Sequence, residues 1–154
     1  MEKPKISWHV LEEISYDNYE YVQYKTYDEE GSFTPTETIE KTIQVWNNYG
    51  GNSDVANLVN CKLIISFKNF EDSYLLNLIK IQVEESDYFS PEIDLDKGVI
   101  DLGQISGMSN NGSALNHSNY KTIHFSIGPL PNNIKSELKS LYFYLEYEED
   151  DANE

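Results

Sequence analysis

Apolar and polar residues alternate with a period of two along most of this chain. Such a pattern sets one strand face on a core and the other toward water. The clearest case is Lys41–Phe67, KTIQVWNNYGGNSDVANLVNCKLIISF. Ile43 and Val45 alternate there with Thr42 and Gln44, and Trp46 falls on the Thr42/Gln44 side. A lone Trp in that position is expected to pack under a loop or to cover the end of a core. Asn47–Asp54, NNYGGNSD, is a reversal, because Gly and Asn accept positive φ and Ser and Asp bond back to nearby amides. Alternation returns in Cys61, Leu63, Ile65 and Phe67, against Lys62 and Ser66. Ile64 interrupts the polar face, so partial cover is expected there too.

The same period predicts further strands. Ile6–Leu11 puts Ile6, Trp8 and Val10 on one face and His9 on the other, whereas the acidic Leu11–Asn18 supports no assignment. Tyr19–Tyr27 carries Tyr19, Tyr21, Gln23, Lys25 and Tyr27 on one face, with Val22 and Tyr24 opposite. Asp28–Pro35 reads as a polar hairpin tip, and its acids lack the spacing of an EF-hand loop. Lys68–Ser73 bridges to a strand over Tyr74–Val83, with Ile79, Ile81 and Val83 on the buried side. Asp94–Gly98 reads as a tight turn into the strand Val99–Gly103, with Ile100 and Leu102 inward and Asp101 outward. Gly107–Ser118, GMSNNGSALNHS, is the longest polar loop and the segment expected to be most mobile. Tyr120–Ile127 and Leu141–Tyr147 close the pattern as two more strands. Between them Asn132 is placed to cap a helical turn through Lys139.

Short strands and polar turns predict an all-β fold, an antiparallel sandwich with one short helical turn. At 154 residues the chain is long enough for a core without disulfides. The expected division is an N-terminal extension over 1–37 packed on the sandwich, the sandwich itself over 38–148, and a disordered acidic tail over 149–154. Cys61 is the only cysteine, so no internal disulfide forms, and its strand position predicts a small buried apolar residue.

Charge narrows the partners. The formal net charge is −16, and all eleven basic residues are lysine. A chain of this kind is repelled by phosphate backbones, which excludes nucleic acid. The charge first serves solubility, and its sharper reading is a face for a basic protein. No secretory leader opens the sequence and no apolar run approaches a membrane span. Folding in the cytoplasm without membrane insertion is therefore expected.

VWNNYGGNSDVANLVNCKLIISF resembles one edge of the immunoglobulin-like modules that repeat in bacterial surface and particle proteins. Those modules end a strand in an Asn-x-Gly turn, here Asn48-Tyr49-Gly50, before a strand carrying the inter-sheet core. Ile100–Gly107, IDLGQISG, resembles the Leu-Gly turn before their penultimate strand. The resemblance spans residues 38–148. It implies an immunoglobulin-like sandwich, and free-standing modules of this kind are similar to accessory or tail proteins of phages and prophages. A virion- or particle-associated location follows from the same resemblance.

Catalytic chemistry is sparse. Gly103-Gln104-Ile105-Ser106-Gly107 misses the nucleophile elbow by one place. His9, His117 and His124 lack metal-ligand spacing and read as structural. Asp101 is the carboxylate nearest to an apolar setting, and outward exposure accounts for it. The leading expectation is therefore a non-catalytic structural or binding module, with no cofactor and no metal, that binds a protein partner or itself. The Tyr19–Tyr27 stripe is its candidate self-association face. A carbohydrate-binding module using Trp46, Tyr49 or the tyrosine-rich strands is the alternative. A hydrolase with two carboxylates about 5–10 Å apart is the third reading.

Overall fold

A computed structural model describes residues 1–24, 31–33, 39–67, 69–128 and 141–150. Among the described residues ten strands run in the order β1 (Ile6–Ser15), β2 (Asn18–Tyr24), β3 (Gly31–Phe33), β4 (Ile39–Asn47), β5 (Asn57–Phe67), β6 (Ile79–Val83), β7 (Glu92–Asp94), β8 (Lys97–Ile105), β9 (Tyr120–Ile127) and β10 (Leu141–Asp150). They form two five-stranded sheets, a front sheet β2-β1-β4-β9-β6 and a back sheet β3-β10-β5-β8-β7. All strand pairs in both sheets are antiparallel. The chain is an all-β sandwich, as the alternation predicts.

Inward positions of both sheets meet in one core. Trp8, Val10, Ile43, Val45, Ile79, Ile81, Ile123, Phe125 and Ile127 come from the front sheet. Cys61, Leu63, Ile65, Ile100, Leu102, Phe143 and Leu145 come from the back sheet. Phe125 of β9 meets Phe143 of β10 with ring centroids 4.9 Å apart, a contact that ties the sheets together. Each fully buried apolar side chain of this size is worth about 1.5–3 kcal/mol.

Strand order refines the expectation from sequence. β5, β8 and β7 lie together in one sheet and β6 and β9 in the other, the arrangement of the central strands of an immunoglobulin-like sandwich. The flanking strands exchange places: β4 pairs with β9, and β10 pairs with β5. With β3 beside β10, the runs β3-β10-β5-β8 and β4-β9-β6 follow a jelly-roll order, and β7 departs from it by pairing with β8 instead of β6. β1 and β2 then widen the front sheet beyond β4, with Val10 opposite Ile43.

Several local readings change. β1 runs on through the segment left unassigned, to a two-residue turn at Tyr16-Asp17 where Asp17 has φ 57°. β3 lies inside the stretch read as a hairpin tip, because Gly31–Phe33 pairs with Phe143–Leu141. Leu75, Leu76 and Leu78 belong to a 3-10 segment over Phe70–Leu78, and the strand starts only at Ile79. Leu75 and Leu76 enter the core from that segment, and the strand expected from Tyr74 begins at Ile79. Ile100–Gly107 is a bulge more than a turn. Gly103, with φ 74°, faces Cys61 where the β5–β8 register shifts, and β8 continues to Ile105. That extra residue switches the inward set from Ile100 and Leu102 to Ile105. Glu148, Glu149 and Asp150 extend β10 against Val59, Leu58 and Asn57, so the expected disordered tail does not begin at 149. The helical turn expected over 132–139 and the last four residues lie outside the described residues.

Candidate functional site

The outward positions of the front sheet form a face of hydroxyls, amides, imidazoles and phenols. Across β4, β9 and β6, strand pairing sets Thr42, His124 and Gln82 in one row, and on β1 and β2 Leu11 lies opposite Tyr21. The next row holds Gln23, His9, Gln44 and Thr122. Lateral bonds knit them: Thr42 Oγ1 lies 2.6 Å from His124 Nδ1, and Gln44 Nε2 donates to Thr122 Oγ1 at 3.3 Å.

A groove of about 390 Å³ opens on this face. Leu11, Tyr19, Glu40, Lys41, Thr42, Tyr88, His124, Phe125 and Ser126 line it. They come from β1, β2, β4, β9 and the segment after β6, so the jelly-roll neighbours β4 and β9 supply the floor. Tyr19 and Tyr88 keep more than half of their surface in solvent, at 55% and 57%. Glu13 accepts a hydrogen bond from the Tyr19 phenol and holds its pKa above the ordinary value. Glu40 is the single carboxylate among the described residues lining the groove. A pair of the kind that glycoside hydrolysis uses is therefore not assembled from this lining.

Toward the other end of the face the aromatic residues close on one another. Trp46 is buried; it stacks on Tyr120 at 4.5 Å and 26°, and meets Tyr49 edge-on at 4.8 Å and 85°. Its indole Nε1 donates to Gln44 Oε1 at 3.0 Å. His9 packs against Tyr49 at 4.5 Å, with Nε2 2.9 Å from Ser7 Oγ, and burial lowers its pKa to about 4. Burial, then the Glu84 charge, raises the Tyr120 phenol, which donates to the Ala114 carbonyl at 2.6 Å. Trp46 and Tyr49 are thus neither coplanar nor equally exposed, and Trp46 serves as cover for the sheet.

The loop Gly107–Ser118, expected to be mobile, follows a course fixed by asparagines. The Asn48 side-chain amide donates to the carbonyls of Ser53, Gly107 and Met108. Asn119 donates to Asn47, Ser106 and Met108, and Asn47 to Ala56 and Ile105. Asn57 Oδ1 accepts from the Gly107 amide. Primary amides supply the donors that irregular buried backbone demands.

Other sequence candidates disperse. Asp101 is exposed, and its carboxylate caps the Gly103 amide at 3.0 Å. Ser106 is buried and accepts from the Met108 amide. His117 Nδ1 lies 3.1 Å from the Tyr120 hydroxyl. Tyr21 reaches Gln44, with burial the main cause of its raised pKa. Tyr27 and the acids Asp28, Glu29 and Glu30 lie outside the described residues. His/Cys/Asp/Glu clusters fit to hold a metal do not occur among the described residues, nor does any helix there reach the length and apolarity to cross a membrane.

Sequence reading missed the groove as a set. The alternation of Thr42 and Gln44, and of Thr122 and His124, marks one solvent face, but only the pairing of β4 with β9 makes them neighbours. Fold and site together define a widened two-sheet sandwich with a polar, aromatic-edged groove on one outer face. Set against known proteins, the chain matches no family model, no curated protein and no solved structure.

Proposed function

We propose that this chain is a non-catalytic binding module whose recognition site is the front-sheet groove. One observation carries the reading: side chains from β1, β2, β4 and β9, with Tyr88, converge on a 390 Å³ opening lined by hydroxyl, imidazole, carboxylate and phenol groups. That volume lies within the usual range for ligand sites, about 300–1,000 Å³. The rest of the sandwich supports the groove as a rigid frame. The asparagine-held loops and the aromatic cover pin one end of the front sheet, and the two-ring contact of Phe125 and Phe143 lies beneath its floor. A role in a surface or phage-derived particle rests on the resemblance to immunoglobulin-like modules and is part of this proposal.

The test is a thermal-shift screen of saccharides, peptides and metabolites against the wild type and a groove-blocked Ser126→Trp variant. Thr42→Arg serves as the blocked form should the first fail to fold. A ligand that raises the wild-type Tm and leaves the blocked variant unmoved supports the reading. Ligands that shift both proteins equally would place recognition elsewhere.

A further inference from the structure

We infer that the groove takes the sugar rings of a neutral polysaccharide, an assignment that rests on the groove being the recognition site. Ring placement is the first argument. Tyr19 and Tyr88 both line the opening and both remain more than half exposed, unlike Trp46 and Tyr120, which are 2% and 5% exposed. A phenol that the core does not need offers an apolar face and a polar rim. The C–H face of a pyranose and its equatorial hydroxyls match those two parts.

The second argument is the floor. Thr42, His124, Ser126 and Glu40 present hydroxyl, imidazole and carboxylate groups on two adjacent strands. Ser126 pairs with Glu40, and His124 with Thr42, so the polar groups stand in two consecutive outward rungs. Neighbouring strands lie about 4.8 Å apart, a spacing on the scale of hydroxyls across one sugar ring. Thr42 and His124 already hold each other at 2.6 Å, which fixes the positions of both side chains before a ligand arrives. Preorganised polar groups lower the ordering cost of binding.

The third argument is charge. Glu40 puts a carboxylate on the groove face, Lys41 shares the opposite strand face with Ile43 and Val45, and the whole chain carries −16. The surrounding field disfavours uronate, sialate, sulfate and phosphate groups. A neutral chain of hexoses meets the stacking and hydrogen-bonding groups without that opposition.

The experiment is native affinity electrophoresis of the full chain in gels holding laminarin, mannan or hydroxyethyl cellulose, with polygalacturonate as the anionic comparison. At least one neutral polymer should retard the wild type, and polygalacturonate should not. Tyr19→Ala and Tyr88→Ala should each weaken retardation about 10-fold, the usual scale for losing an aromatic anchor. Their Tm values should stay at the wild-type value, because both rings are exposed. Failure of all three neutral polymers, or retardation that ignores both substitutions, would overturn the assignment. The wider reading falls separately. A peptide or metabolite that Ser126→Trp blocks would leave the groove standing and remove only the sugar, and a neutral polymer bound with both rings dispensable and Ser126→Trp unaffected would remove the groove as well.

Discussion

His9 gives the sharpest pH prediction. Its ring is 3% exposed, packed on Tyr49 and bonded to the Ser7 hydroxyl, and burial alone lowers its pKa from 6.5 to about 4. The folded state therefore keeps His9 neutral at a pH where the unfolded chain has already bound a proton. Stability rises with pH wherever the unfolded state holds more protons. The contribution of His9 is therefore neutral above pH 6.5 and grows unfavourable as pH falls toward about 4. The loss runs at about 1.4 kcal/mol per pH unit inside that window and totals about 3 kcal/mol at its lower end. Many carboxylates titrate over the same range, so the wild type must be compared with His9→Gln. Urea unfolding at pH 7.0, 6.0, 5.0 and 4.5, followed by the emission of the buried Trp8 and Trp46, gives both profiles. The variant starts less stable, having lost the ring contact with Tyr49, and the gap between the two proteins should narrow by about 2 kcal/mol or more as the pH falls. Parallel profiles across the window would refute the reasoning, since a His9 that stays buried and neutral must produce the slope.

Other consequences follow from the same packing. Asn119→Ala removes the donor to three carbonyls at the loop end, and urea unfolding should record a loss of about 2–3 kcal/mol. A Cβ on Gly107 would stand 2.2 Å from the Val55 carbonyl oxygen and 2.6 Å from that of Ala56, both backbone. Gly107→Ala should cost about 3 kcal/mol or more. Gly103→Ala, which meets nothing within 4 Å but carries φ 74°, should cost only about 1–2 kcal/mol. Burial, with the Asp101 charge second, pushes the Cys61 thiol up to about 12. Its alkylation at pH 8 should follow global unfolding, with a urea midpoint equal to that of the fluorescence transition.

What the sequence reveals follows its periodicity. Strands such as Tyr120–Ile127 and the inward set Ile43, Val45, Leu63, Ile65, Ile123 and Phe125 were legible, because a period of two is a local property. The bulge at Asn60–Cys61 and Gly103 was not. It moves the inward set by one residue, so Leu58 and Ile105 look out of phase with Cys61 and Leu102. Leu75–Leu78 misled for a related reason. Their apolarity reports burial, and burial is equally well met by a 3-10 segment plugging the end of the core. The loop Gly107–Ser118 looked mobile because its residues are small and polar. Asn119 holds it from its own end, but Asn48 and Asn57, which hold it from outside, lie far off in sequence. The groove was illegible for the same reason. Thr42 and His124 are 82 positions apart, and only the exchange of β4 and β10 makes them partners.

Amide chemical-shift mapping tests the groove most directly. The ¹⁵N-labelled chain is titrated with the strongest ligand from the screen. The predicted perturbations cluster at Leu11, Tyr19, Glu40–Thr42, Tyr88 and His124–Ser126, while Asn48–Ser53 and Ser109–Asn116 stay still. Shifts concentrated in those loops, with the front-sheet residues unmoved, would contradict the groove as the recognition site.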